Sequence, residues 1–312
     1  MVRIVFFGTP EFAVPSLEAL VASRHEVVAV VSQPDRPKGR GQQVQPTPAK
    51  SIARAHGIPV LQPPKIRDEV FLRQIGDLLP DLGVVVAFGR ILPDALIAIP
   101  RLGMINVHAS ILPRYRGAAP IQRAVLAGEA ETGVTIMRIV TEMDAGATFS
   151  MRTVPIPPNA TSGEMAAALA AEGAELLLPV VDALDAGTAV ETPQNDALAT
   201  YAPKITKSEG TIDWTKPSDV VHNQIRGLQP WPLASSTVRG TRCVIRGSAP
   251  VNVSTRAEPG TIVRAHGDDL IVACGGGTAL RILEIQPEGR RMMTSRVFLT
   301  GRPVVEGDRF HP

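Results

Sequence analysis

Short apolar β-prone runs alternate with amphipathic helical stretches through the first 140 residues, and this alternation constrains the fold more than any other feature of the chain. Residues 2–7 form an apolar run that ends at Gly8, residues 16–22 carry a helical pattern, and residues 26–31 form a second run. Further runs at 82–88, 104–107 and 134–140 are separated by helical patterns at 48–56, 66–79 and 118–127. Buried strands spaced by helices predict an α/β domain, a Rossmann-like mostly parallel sheet with right-handed crossovers. Run 134–140 is expected to lie parallel beside run 104–107.

The pattern then changes. Thr161 with Glu164 three residues on reads as a capping box, and the Ala- and Leu-rich stretch behind it predicts a long helix to about residue 184, with Pro179 bending it or ending it early. Residues 188–206 lose periodicity and read as a linker. Beyond Lys207, short runs at 236–238, 243–246, 260–264, 270–273 and 279–285 are punctuated by Gly and Pro, the mark of a small β-barrel or sandwich, and a smaller OB-like β-barrel is expected. The expected organisation is a catalytic domain over 1–187, a linker over 188–206 and a C-terminal barrel over 207–312. The terminal segment GRPVVEGDRFHP suggests no function.

Several classes are excluded. Thr9-Pro10-Glu11 follows Gly8 where a dinucleotide fingerprint needs further glycines, and no phosphate-cradling GxxxxGK[ST] loop occurs. Cys243 and Cys274 form neither a disulfide framework nor a zinc cluster, which points to a reducing cytoplasm. No apolar stretch approaches the roughly 18 residues of a membrane span. The net charge of +2 is unevenly spread: residues 207–312 hold 14 Lys and Arg against 10 Asp and Glu, so the C-terminal third is mildly basic. A polyanion partner requires such a surface, although an ordinary solvated face has it too.

Chemistry concentrates after run 104–107. Ligands of open parallel sheets sit outside the carboxyl ends of the strands, and there Asn106 and His108, two residues apart, share one face. Asp144 follows run 134–140 and is expected on the same rim. Singly, each has an ordinary structural role in a strand end or turn. Together, an amide, an imidazole and a carboxylate suit acyl transfer between nitrogens: the first two stabilise a tetrahedral oxyanion, and the carboxylate with the histidine moves the amine proton. One His, one Asp and an amide are too few ligands for zinc, and a Ser110–His108–Asp144 hydrolase lacks a nucleophile elbow.

The stretch NVHASILPRYRGAAPIQRAVLAGEAETGVTIMRIVTEMDAGAT, residues 106–148, resembles the methionyl-tRNA formyltransferase family. The likeness covers nearly the whole chain through FFGTPEFA, QPDRPKGRGQQVQPTPAK, VVVAFGRILP, KITKSEGTIDW and IRGLQPWPLA. It implies Asn106, His108 and Asp144 as catalytic residues, with Asn106 and His108 polarising the formyl oxygen and Asp144 orienting His108 or a water. It implies 10-formyltetrahydrofolate as donor, without a metal, contacted by Ser110, Ile111, Leu112 and Pro113 and by Phe88 and Gly89. Arg114 and Arg116 either attract the glutamate tail of the folate or are plain surface charge. The implied acceptor is initiator methionyl-tRNA. Loop 33–50 holds Arg36, Lys38, Arg40 and Lys50 against Asp35 alone; expected to lack regular structure, it engages the acceptor stem through Arg36, Lys38 and above all Arg40, and the barrel holds the rest by charge. Trp214 and Trp231 are expected in packing rather than base stacking. The resemblance implies a cytoplasmic enzyme with no membrane association and no obligatory protein partner. Rival readings are a folate-dependent formyltransferase of a small amine such as an amino sugar nucleotide, a hydrolase releasing formate from the same donor, and a non-catalytic RNA-binding protein on this fold.

Overall fold

The computed structural model describes residues 1–38, 43–301 and 304–312. They divide into two compact units, the first of residues 1–120, 131–155 and 166–202, the second of residues 121–130, 156–165 and 203–312. Among the described residues no helix is long and apolar enough to cross a membrane.

From the N-terminus the chain forms β1 (Arg3–Gly8), α1 (Val14–Val21), β2 (Glu26–Val31), β3 (Arg36–Lys38), β4 (Gln43–Gln45), α2 (Pro48–Ala55), β5 (Val60–Leu61), α3 (Glu69–Asp77), β6 (Leu82–Val86) and α4 (Asp94–Ile97). It continues through β7 (Met104–His108), β8 (Arg116–Gly117), α5 (Pro120–Leu126), β9 (Glu131–Arg138), β10 (Thr148–Pro155), α6 (Ser162–Ala186) and β11 (Tyr201–Ala202). The main sheet has the order β10-β9-β7-β6-β1-β2-β5. Strands β7, β6, β1, β2 and β5 run parallel. Ile4, Val5, Phe6 and Phe7 of β1 are fully buried, as central parallel strands require. Local signals set the helix starts: Thr47 caps α2 by accepting from Lys50 N with Pro48 behind it, and Asp68 caps α3 through Val70 N. The Thr161–Glu164 capping box forms as expected, and α6 runs to Ala186 with Pro179 inside it.

Two sequence-based expectations need correction. Strand β9 pairs β7 antiparallel, with Ile105 opposite Arg138 and His108 opposite Thr135. A run buried on both faces reads the same whichever way it points, so periodicity could not fix its direction. The signal lay in the next segment, 148–155, whose alternating exposure marks a hairpin partner: β10 pairs β9 antiparallel at the sheet edge. Loop 33–50 is also more ordered than its prolines suggested, because β3 and β4 pair antiparallel and α2 begins at Pro48.

The second unit adds α7 (Ser218–Gly227), β12 (Ala234–Val238), β13 (Thr241–Val251), β14 (Ile262–His266), β15 (Asp269–Ala273), β16 (Ala279–Pro287), β17 (Met293–Thr294), α8 (Ser295–Gly301) and β18 (Phe310–His311). The antiparallel order β14-β15-β16-β13-β12-β18 curls until its ends meet. Ile262 N donates to Asp308 O at 2.8 Å and Phe310 N to Gly260 O at 2.8 Å. Residues 308–310 of the terminal segment that suggested no role therefore close the barrel. Gly260 (φ +89°) permits this, since a Cβ there would run into the Phe310 carbonyl. Trp214 lies in the barrel core, its Nε1 donating to Ser236 Oγ at 2.9 Å and its ring 5.6 Å from that of Phe310. Trp231 departs from the packing expectation: it is 54% exposed.

Candidate active site

Strand β7 is clamped between Val85 of β6 and Met137 of β9 at the level of Asn106. Asn106 and His108 leave its same face near the carboxyl end. His108 is buried, 5% exposed, and its ring is held from two sides. Nε2 lies 3.1 Å from the Tyr115 carbonyl, which can only accept, so Nε2 carries a hydrogen and donates it there. Nδ1 faces Asp144 Oδ2 at 3.7 Å, an ion-pair distance longer than a direct hydrogen bond. Asp144 Oδ2 in turn accepts from Gly117 N at 2.8 Å.

Because β9 is antiparallel, it ends beside Ile105 rather than at the rim. Asp144 reaches His108 instead on the β9–β10 connection, residues 139–147. Tyr115 (φ +60°) and Asp144 (φ +52°), the two residues that touch the ring, both adopt left-handed backbone, a conformation non-glycine residues keep only where surrounding bonds hold it. Gly117 (φ +121°) has no alternative, since a Cβ would lie 2.8 Å from Ala202 O, where β8 pairs β11. Among the described residues the half-buried Asn106 carboxamide takes no protein hydrogen bond, whereas Nε2 of His108 is tied to Tyr115 O and its Nδ1 faces Asp144.

Loop 109–117 is braced from within. Ser110 Oγ donates to Arg114 O at 2.6 Å, Thr135 Oγ1 donates to Ser110 O at 2.7 Å and accepts from Leu112 N at 3.2 Å. Ile111 stays half-buried over Gly133, and Pro113 O accepts from Thr200 N at 3.3 Å. Phe88 is buried edge-on against Phe7 with centroids 5.6 Å apart, its carbonyl accepts from Gln33 Nε2, and Leu112 is 3% exposed. Exposed apolar groups lie next to candidate residues along the chain: Ile91 at 75% follows Gly89, and Val140 at 40% and Met143 at 58% precede Asp144. Their loops are joined by Thr141 Oγ1 donating to Asp94 Oδ1 at 2.8 Å. No composition rule singles them out, since exposed apolar loop residues become conspicuous only once the sheet core is known. Arg116 is neither surface charge nor free, being 4% exposed and paired with Asp196 at 2.6 Å. Arg114 is exposed over the Tyr115 ring.

In the basic loop, Arg36 is exposed, Lys38 contributes its backbone to β3, and Arg40 lies outside the described residues. Lys50, counted by sequence with the loop's positive charge, is instead buried, its Nζ bonded to Asp35 Oδ2 at 2.5 Å and Gln62 Oε1 at 2.6 Å. Gln62 Nε2 bridges to Gln33 O and Asp35 Oδ1. Burial opposes the Asp35 charge, but the bonds from Lys50 and Gln62 and the ammonium beside it prevail and hold its pKa below the ordinary carboxylate value. Among the described residues no group of three or more His, Cys, Asp or Glu is arranged to hold a metal ion.

A Rossmann-like sheet followed by a small barrel is the architecture of a formyl transferase, and the comparisons agree on it. Residues 2–181 match the family described as formyl transferase, and residues 204–303 match its C-terminal domain. The methionyl-tRNA formyltransferase of Moorella thermoacetica is 47% identical over 98% of this chain and 98% of its own, and that of Enterococcus faecalis is 45% identical over 99% of each. The N-formyltransferase of Helicobacter canadensis, solved with folinic acid and dTDP-3-aminofucose, shares the fold at TM-score 0.69, with 20% identity over 92% of this chain and 100% of its own. The chain belongs to the methionyl-tRNA formyltransferase family.

Proposed function

We propose that this protein transfers the formyl group of 10-formyltetrahydrofolate to the α-amino group of methionyl initiator tRNA. The observation that carries the chemistry is the contrast within β7: a carboxamide with no protein partner among the described residues, two residues from an imidazole already tied to Tyr115 and facing Asp144. The acceptor assignment rests on relatives of that name matching end to end, barrel included.

In this reading Asn106 Nδ2 donates to the formyl oxygen and holds it as the tetrahedral oxyanion forms. The methionyl ammonium first gives up one proton to become a nucleophile. Its nitrogen then bonds to the formyl carbon, the carbon's bond to folate N10 breaks, and the amine's second proton passes to N10. His108 Nδ1 and Asp144 Oδ2, 3.7 Å apart, line that proton's path. Of the two roles expected of His108, on the oxyanion and in moving the amine proton, the bond from Nε2 to Tyr115 O favours the second. Ile91, Val140 and Met143 offer apolar surface to the pterin, beside the main chain of Gly89 and of loop 110–113. Arg36, Lys38 and Arg40 serve the acceptor stem. On the second unit Lys207, Lys216, Arg246, Arg256, Arg290 and Arg291 are exposed without an ion pair among the described residues, and they suit the tRNA backbone. With these substrates the protein works in the cytoplasm, without a metal or an obligatory protein partner.

The test is formyl transfer from 10-formyltetrahydrofolate to charged initiator tRNA, against uncharged tRNA, free methionine and an amino sugar nucleotide. Formylation confined to the charged tRNA is the expected result. Turnover on the sugar nucleotide alone, or formate release without any acceptor, would overturn the reading.

A further inference from the structure

Residues 192–202 read as linker by composition, yet they form a strap along the candidate site. Thr192 and Thr148 exchange main-chain hydrogen bonds at 2.8 and 2.9 Å. Thr200 accepts from Tyr115 N through Oγ1 at 2.8 Å and from Arg116 N through its carbonyl at 2.8 Å, and β11 then pairs β8.

Gln194 stands at the centre of the strap. Its Nε2 donates to Asp144 O and to Gly146 O, both at 2.8 Å, and its Oε1 accepts from Arg116 Nε at 3.1 Å and Nη2 at 2.8 Å. A carboxamide has two donor hydrogens and two acceptor lone pairs, so every bonding position of this side chain is used. The groups it joins are those that set the His108–Asp144 relation. One end grips the main chain of Asp144 itself. The other grips Arg116, whose neighbours Tyr115 and Gly117 bond His108 Nε2 and Asp144 Oδ2. The buried Arg116 guanidinium is balanced by Asp196, also on the strap.

We propose that Gln194 and Arg116 are positioning residues for the formyl transfer, a cross-brace that fixes Asp144 against His108 on an otherwise irregular connection. The proposal rests on the catalytic reading of His108 and Asp144. Neither residue touches substrate; each acts through the 115–117 and 144–146 segments. Misplacing a reacting group by about 1 Å costs on the order of 10²-fold in rate, so loss of the brace falls on turnover rather than on substrate affinity.

Gln194→Met keeps the side chain's length and removes all four bonds. Gln194→Glu keeps the acceptors toward Arg116 and removes only the donors toward 144 and 146. Both variants are expected to lower kcat by about 10- to 100-fold, with KM for folate and for charged tRNA within about threefold. Gln194→Glu is expected to melt below the parent, because a carboxylate oxygen then faces the 144 and 146 carbonyls, but above Gln194→Met, because it still satisfies Arg116. The deciding measurement is the same change in a His108→Ala background: a brace acting through the histidine adds less than about threefold there, whereas general loosening multiplies the loss in full. Parent-like kcat in Gln194→Glu, or a fully multiplicative loss with His108→Ala, would overturn the proposal. If His108→Ala alone keeps parent turnover, the catalytic reading fails first, and the two failures are thereby told apart.

Discussion

Replacing Asn106 by Ala is expected to separate catalysis from folding. Among the described residues the carboxamide makes no protein hydrogen bond and is only half-buried, so truncation strands no partner and opens little cavity. The stability cost should stay within about 0.5 kcal/mol, the usual range for such positions, or about 1–2 °C in Tm. If the same Nδ2 donates to the formyl oxygen, its loss resembles deletion of one oxyanion donor and costs about 10²–10³ in kcat, roughly 2.7–4 kcal/mol of transition-state stabilisation. His108→Ala offers the contrast, because it removes a buried ring bonded to Tyr115 O and should also destabilise the fold by about 1–3 kcal/mol. Single-turnover formylation of charged initiator tRNA with saturating donor isolates the chemical step, and circular dichroism gives Tm on the same preparations. A kcat within threefold of the parent for Asn106→Ala, or a melt lowered as far as in His108→Ala, would refute the assignment of the free carboxamide to the formyl oxygen.

Three further outcomes are expected. Lys50→Met leaves the Asp35 carboxylate without its cation, for a cost of about 1–3 kcal/mol in urea unfolding at neutral pH, less than a fully buried pair because Asp35 is partly exposed. Its depressed pKa makes this pair a contribution present above the unfolded value, about 4, and lost as pH falls through the lower folded value; the gap between parent and Lys50→Met should therefore narrow in acid, and a constant gap would contradict the pairing. Phe310→Ala should destabilise the barrel by about 3–5 kcal/mol, since the ring is 1% exposed against Trp214, while His311→Ala next to it should change Tm little. Cys243 and Cys274 are buried, and burial pushes the Cys274 thiol up to about 12, so a thiol reagent at pH 8 should label neither until denaturant is added.

The parallel half of the sheet, the long capped helix and the barrel were legible because each follows from a local rule: period-two or continuous apolar runs, a Thr–Glu capping box, Gly and Pro at close spacing. What escaped depended on partners far along the chain. Strand direction at β9 was settled by β10, and barrel closure by main-chain bonds from residues 308–310 to residues 260–262. Lys50 read as loop charge because nothing in QPDRPKGRGQQVQPTPAK shows that Asp35 and Gln62 enclose it. Trp231 read as packing because its hydrophobic area is large, but the turn after α7 turns the ring outward.

The candidate site was legible in a similarly divided way, and the division has a chemical cause. The proposed reacting groups are polar side chains beside an otherwise apolar run, so Asn106, His108 and Asp144 stand out in the sequence even before their distances are known. The groups that orient them are main-chain atoms: Tyr115 O on the imidazole, Gly117 N on the carboxylate, Asp144 O and Gly146 O under Gln194. Every residue carries a carbonyl and nearly every one an amide hydrogen, so residue type holds no record of which are used. A brace that works through them needs only one well-placed carboxamide and one guanidinium, and both fall in stretches whose composition otherwise reads as linker or surface charge. Positioning in this fold is therefore hidden from sequence to the degree that it is delegated to the backbone. The loss of a single side chain that gathers several backbone groups, as Gln194 does, should thus resemble the loss of a reacting group in kcat while leaving both substrates bound.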